Sequence, residues 1–211
     1  MTGELFLAST VSPVIQRIAS QMNSSPQNKK LLFITTASEA ESGDKKWLSI
    51  DRESLKKVGF RVEEYSITGK NASELQRKVA DFDFICVAGG NSFYLLEKIL
   101  QSGFDKTIQK WVENGGTYIG SSAGSVVAGS DIEPVKALDN SDKAPSLKTY
   151  KGMGLADIVL LPHWGNPKFK ERYLNQRLEQ SYQKRNKIIR LTDDQYLHVR
   201  GKIFEIVDIK K

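Results

Sequence analysis

One cysteine and two histidines are all that 211 residues offer for cross-linking or soft-metal binding. A lone Cys86 excludes an internal disulfide and a cysteine zinc cluster. It lies in Phe82-Asp83-Phe84-Ile85-Cys86-Val87-Ala88, which reads as a buried strand, so a packed thiol is expected rather than a reactive one. Two distant histidines without paired ligands predict no metal, and no cofactor is expected. No apolar run approaches the ~20 residues of a membrane span. The N-terminus, Met1-Thr2-Gly3-Glu4-Leu5-Phe6-Leu7, lacks a basic region and a long apolar stretch, so it reads as a first strand rather than a signal peptide. There is no internal repeat, low-complexity tract or linker. These absences lead to the expectation of one domain over residues 1–211, cytoplasmic, with no membrane partner.

The formal charge is +6, which raises the question of nucleic acid. The basic residues are scattered, however. Lys168, Lys170, Arg172, Arg177, Lys184 and Arg185 are interrupted by Glu171 and Glu179, the pattern of a solvated helix face. No nucleic-acid partner is expected.

Apolar runs alternate with helical patterns along the chain. Strands are expected at Glu4 to Ser9, Lys30 to Thr35, Phe60 to Ile67, Phe82 to Val87 and Thr117 to Ile119. Helices are expected at Val14 to Met22, Asp44 to Val58, Asn71 to Val79, Phe93 to Leu100 and Phe104 to Val112. Asp131 to Tyr150 reads as a long loop. A strand at Ile158 to Leu161 precedes a helix from Pro167 to Gln183. Ile188 to Leu191, Tyr196 to Val199 and Ile203 to Val207 read as closing strands, the last two joined in a hairpin by Arg200-Gly201-Lys202. The alternation predicts an α/β fold, a three-layer doubly wound and mostly parallel sheet.

Chemistry concentrates in Gly120-Ser121-Ser122-Ala123-Gly124, a G-x-S-x-G pattern between a short strand and a helical segment. A serine at such a turn is held in a strained backbone with its hydroxyl exposed, and the amide of Ala123 faces the same space. The plainer alternative is a glycine-rich turn whose serine caps the helix. A serine hydroxyl needs a base. His163 follows the strand Ile158-Val159-Leu160-Leu161 and Pro162, at the carboxyl edge where ligands bind in open parallel sheets. His198, in Tyr196-Leu197-His198-Val199-Arg200, falls by alternation on the polar face of a terminal strand. A third feature is Gly89-Gly90-Asn91-Ser92-Phe93, a strand end running into a capped helix. Its amides suit a phosphate or an oxyanion. It lacks the spacing of nucleotide-binding loops.

Gly89-Gly90-Asn91-Ser92-Phe93, then Gly120-Ser121-Ser122-Ala123-Gly124, then Pro162-His163, in that order, resemble the peptidase E group of serine peptidases. That group includes aspartyl dipeptidases and, more distantly, cyanophycinases. The resemblance spans nearly the whole chain. It implies a fold similar to class I glutamine amidotransferases, flavodoxin-like, with a C-terminal hairpin. It implies Ser122 as nucleophile, His163 as base, and an oxyanion hole from the N–H groups of Gly90 and Ala123, with Gly89 and Asn91 against substrate. The chain departs from the pattern at the third triad member. Where the family often has a glutamate, it reads Leu191-Thr192-Asp193-Asp194-Gln195. Asp193 is the best match and Asp194 the next, with Asp131, Glu133 and Asp139 as competitors.

The expected function is a serine peptidase of small peptides, such as dipeptides with N-terminal aspartate, working through an acyl-enzyme. An esterase or acyltransferase with the same site, and a non-catalytic binding protein, stand as alternatives. Lys136, Lys143, Lys148 and Arg172 are candidates to bind a substrate carboxylate. The oligomeric state stays open, a homodimer among the options.

Overall fold

Each strand at the centre of this molecule sends alternate residues into two different cores. In β1 (Glu4–Ala8), Leu5 and Leu7 enter one core, Phe6 and Ala8 the other. The same split divides Leu32 and Ile34 from Leu31 and Phe33 in β2 (Lys30–Ile34). It divides Ile85 and Val87 from Phe84 and Cys86 in β4 (Phe84–Val87), and Tyr118 from Ile119 in β5 (Thr117–Ser121). Strands buried on both faces read as continuous apolar runs, as these do. The computed structural model describes residues 3–174 and 187–210.

Seven strands form the main sheet in the order β3-β2-β4-β5-β1-β8-β9, with β3 at Arg61–Tyr65, β8 at Gln195–Arg200 and β9 at Ile203–Asp208. Pairing is parallel from β3 to β1 and antiparallel at β1–β8 and β8–β9, which makes the C-terminal hairpin. One face carries α1 (Val11–Gln21) and α2 (Lys46–Lys57). The other carries α3 (Ala72–Ala80), α4 (Ser92–Ser102), α5 (Phe104–Glu113) and α6 (Ala123–Ala128). The expected three-layer α/β architecture is the observed one. Among the described residues no helix is long and apolar enough to cross a membrane.

Three readings need correction. First, β7 (Ile188–Arg190), read as a closing strand, does not join the main sheet, where β8 holds the edge of β1. It pairs in parallel with β6 (Val159–Leu161) as a separate two-stranded sheet packed on the α6 side. Second, His198 is not on a polar outer face. It is 2% exposed and stacked on Phe6 at 4.3 Å, with Nε2 3.3 Å from Glu4 Oε1. His198 pairs with Phe6 across the β1–β8 ladder, so its side chain lies on the face that the core around Phe6 covers. Third, the helix expected from Pro167 to Gln183 begins as a 3₁₀ turn, Pro167–Phe169, and continues as α7 (Lys170–Leu174); its remainder, with Arg177 and Glu179, lies outside the described residues, as do Lys184 and Arg185. The loop expected from Asp131 to Tyr150 holds two short 3₁₀ turns, Glu133–Ala137 and Ser141–Lys143.

Helix α6 sits tightly against the sheet where it leaves β5. A Cβ on Gly124 would lie 2.1 Å from the Val87 carbonyl oxygen, so only glycine lets the helix sit against β4. Tyr118 Oη donates to the Gly124 carbonyl at 2.7 Å and fixes the same contact. Replacing Gly124 by alanine should cost about 1–3 kcal/mol through overpacking. Thermal unfolding should then start several degrees lower, at about 2–4 °C per kcal/mol for a chain of this size. A melting temperature equal to that of the unaltered chain would show that the contact yields without strain.

Candidate active site

Ser122 sits between β5 and α6 with φ 49° and ψ −111°. A non-glycine residue held there costs on the order of 1–3 kcal/mol, and surrounding contacts must hold it. Its N–H donates to the Ala8 carbonyl at 3.1 Å, and Ser125 Oγ donates to that same oxygen at 2.7 Å. The side chain is thereby turned out of the sheet. Ser122 Oγ is 2.9 Å from His163 Nε2.

His163 also has a left-handed backbone, φ 61°, two residues beyond β6. Its N–H donates to Ser9 Oγ at 2.6 Å, and its ring stacks on Phe169 at 4.4 Å. On the far side, Nδ1 lies 2.7 Å from Asp193 Oδ1. A carboxylate only accepts, so Nδ1 carries the proton and Nε2 is left to accept from the serine hydroxyl.

Asp193 is itself held by three side chains. Ser9 Oγ donates to Oδ1 at 2.8 Å, Thr10 Oγ1 lies 3.4 Å from the same oxygen, and Asn166 Nδ2 donates to Oδ2 at 2.7 Å. Burial alone would raise this carboxyl. Hydrogen bonds from His163, Asn166 and Ser9, with the attraction of His163, outweigh it and hold the group well below the usual carboxylate range. The other acids are placed elsewhere. Asp194 pairs with Lys210 at 2.5 Å. Asp131 accepts from the N–H of Glu133 at 2.8 Å. Asp139 accepts from the N–H of Ser92 at 2.8 Å.

The turn after β4 closes the site from the other side. Gly90 has φ 128°, and a Cβ there would lie 2.3 Å from the Ala37 carbonyl oxygen, so the position demands glycine. Most amides at the start of α4 already have acceptors. Asn91 N–H donates to Ala37 O, Ser92 N–H to Asp139, and those of Phe93 and Tyr94 to Asn91 Oδ1. This turn therefore does not offer a phosphate cradle. Among the described residues, the N–H groups of Gly90 and Ala123 meet no acceptor outside their own elements. Asn91 does not face substrate space: it is buried, and its Nδ2 donates to the Asn140 carbonyl at 2.9 Å. Gly89 does line the cavity.

That cavity measures about 500 Å³ over Ser122 and His163. Trp47 and Ile50 from α2 form part of its wall, with Val135 and Leu138 from the loop after α6. Lys168 and Arg172 reach it from the segment after β6. Of the proposed carboxylate binders, only Arg172 lies there. Its Nη1 donates to the Leu138 carbonyl at 2.8 Å. Lys136 instead pairs with Glu133 at 3.4 Å and stands over the Tyr150 ring, while Lys143 and Lys148 are exposed away from the cavity. Sequence reasoning missed Ser9, Asn166 and Asp51. Ser9 ends an apolar strand and Asn166 follows His163 by three residues, the only signals either gave.

A family model, Peptidase family S51, matches residues 3–207. The chain belongs to this family. Members of S51 are serine-type peptidases, and the chain is therefore a serine peptidase hydrolase. An uncharacterized peptidase of Listeria monocytogenes is 33% identical over 94% of this chain and 95% of its own length. Peptidase E of Shewanella denitrificans is 30% identical over 67% of this chain and 57% of its own length. A crystal structure from Listeria monocytogenes EGD-e, described as a candidate peptidase E, superposes with a TM-score of 0.88 at 30% identity, covering 99% of this chain and 100% of that one. A peptidase from an acI-B1 actinobacterium has the same fold, with a TM-score of 0.71 at 16% identity over 99% of this chain and 88% of that one.

The hydrogen bonds to Asp193 carry a pH signature. Its pKa is lower folded than unfolded, so the stability it contributes is present above the ordinary carboxylate value. That stability is lost as pH falls through the lowered folded value. Asp193→Asn should therefore be less stable than the unaltered protein at pH 7, and the gap should narrow below about pH 4. Melting temperatures of both proteins across that range test this. A gap that stays constant into acid would mean that the folded carboxyl is not held ionised.

Proposed function

We propose that this S51 peptidase hydrolyses small peptides through Ser122, His163 and Asp193. The observation that carries this reading is the unbroken line from Ser122 Oγ to His163 Nε2, 2.9 Å, and from His163 Nδ1 to Asp193 Oδ1, 2.7 Å. Ser122 Oγ attacks the scissile carbonyl while His163 Nε2 takes its proton. Asp193 fixes the tautomer and stabilises the imidazolium. The carbonyl oxygen, now an anion, is received by the N–H groups of Gly90 and Ala123. His163 passes its proton to the leaving amine. Water, deprotonated by the same imidazole, then releases the acid from the acyl-enzyme.

A cavity of about 500 Å³ is of a size that takes a small ligand. Dipeptides with an N-terminal aspartate are the first class proposed. Lys168 and Arg172 on the wall suit an anionic group, and the motif resemblance to aspartyl dipeptidases points the same way. Asp193 at hydrogen-bond distance from His163, in the place where the family often has a glutamate, supports the catalytic reading over a non-catalytic binding protein.

Ser122→Ala should fold normally and lose on the order of 10⁴-fold or more in kcat. The assay is a panel of Asp-X, Glu-X, Ala-X and β-Asp-X dipeptides, with aryl esters beside them. Activity within tenfold of the unaltered enzyme would move the nucleophile elsewhere. Turnover of esters alone would replace the peptidase reading by an esterase.

A further inference from the structure

Helix α2 turns one carboxylate inward, beneath the nucleophile turn. Asp51 is 3% exposed and also lines the cavity. Its Oδ2 accepts from Ser121 Oγ at 3.0 Å, and Ser12 lies beside the same carboxyl. The direction of the first bond is fixed. Ser121 Oγ accepts from the Val11 N–H at 3.1 Å, so its single proton goes to Asp51. The Ser121 hydroxyl thus donates to this carboxyl.

Ser121 immediately precedes Ser122, and the residue α2 brings against it is a charge. Burial of a charge is costly, and a neutral acceptor would hold a hydroxyl with less penalty. The charge acts on its surroundings. His163 attracts it across the cavity, and the Cys86 thiol of β4 lies in its field. The other charged groups of the cavity wall are Glu41, Asp139, Asp193, Lys168 and Arg172.

We propose that Asp51 is a positioning residue for the hydrolysis: through Ser121 it holds the turn that presents Ser122, and its negative charge favours the imidazolium formed on His163 during attack. The proposal rests on the roles assigned above to Ser122 and His163. Burial pushes the Asp51 carboxyl up to about 6, against the hydrogen bonds of Ser121 and Ser12. Acid therefore removes its charge, and this second protonation adds to the loss on the acid side that a histidine base sets.

The test is the rate at which a fluorophosphonate labels Ser122 between about pH 5 and 9, the range of a histidine-dependent profile. The proteins are the unaltered enzyme, Asp51→Asn and Ser121→Ala, with kcat and KM measured on the best dipeptide. The unaltered enzyme should show an acid limb steeper than one proton. Asp51→Asn should show a one-proton slope, with kcat about tenfold lower and KM within about twofold, the scale of one pKa unit of charge stabilisation. Ser121→Ala removes a donor to the ionised form, so it should keep two protons and move one step to higher pH. Equal slopes in the unaltered enzyme and a folded Asp51→Asn would overturn the proposal, as would a loss confined to KM. Should Asp51→Asn fail to fold, an acid limb in Ser121→Ala identical to that of the unaltered enzyme would overturn it equally. An unaltered enzyme that is not labelled, or a Ser122→Ala protein that still hydrolyses, would instead remove the nucleophile assignment.

Discussion

The carboxyl end of β1 is the point from which the rest of the site hangs. The Ala8 carbonyl accepts from the N–H of Ser122 and from Ser125 Oγ, and so sets the nucleophile turn. The next residue, Ser9, is fully buried; it accepts from the N–H of His163 and donates to Asp193. Its own N–H reaches the Gln195 carbonyl at 3.4 Å. The last residue of one inner strand and the residue after it therefore locate a serine, a histidine and an aspartate that are far apart in sequence. Strand β1 has partners on both sides, β5 and β8, and cannot shift without breaking two ladders. Rigidity of the central sheet thus becomes precision at the site.

Much of this was legible in the sequence because the informative residues act locally. Buried strands announce themselves as apolar runs, and the turn at Gly120 to Gly124 is fixed by residues adjacent to it. The parts that were not legible depend on distant partners. His198 follows an alternation that suggests an outward face. Its pairing opposite Phe6 puts it on the face that the second core covers, and this buries it. Asn91 in a glycine-rich turn suggests ligand contact, but its side chain caps α4 and anchors the Asn140 carbonyl. Asp51 resembles any other acid on an amphipathic helix, and nothing within α2 distinguishes it. The position of Asp193 against the imidazole comes from the pairing of β6 with β7. Leu161 stands beside Arg190, and the chain continues from them into the His163 and Asp193 turns. Two three-residue strands leave almost no sequence trace of such a register.

The site gathers several unfavourable features in a small volume. Ser122 and His163 both have positive φ, and Asp51 is a buried carboxylate with a raised pKa. Such features persist only where the surroundings over-determine them. Here the surroundings are the two cores, each built from one set of alternate strand residues, together with the hydrogen bonds from Ala8, Ser9 and Val11. Stability is thus held in the layers, while the loops at one sheet edge are strained or charged. The helix–strand approach at Gly124 belongs to the same arrangement, since it sets the angle at which α6 leaves the nucleophile.

The separate β6–β7 sheet has a mechanical consequence. Ser122 rides on the seven-stranded sheet, whereas His163 extends from the two-stranded one and Asp193 lies between β7 and β8. The 2.9 Å between Ser122 Oγ and His163 Nε2 thus spans the seam between two sheets, which Ser9 ties together through its bonds to His163 and Asp193. Side chains of one shared core flank that seam, among them Val126 and Val127 of α6 and Val159 and Leu161 of β6. A methylene gained or lost in that seam moves the base relative to the nucleophile while leaving every residue of the triad unchanged. The attack distance is in this sense a tolerance of the hydrophobic core, written in valines and leucines rather than in the residues that carry the chemistry.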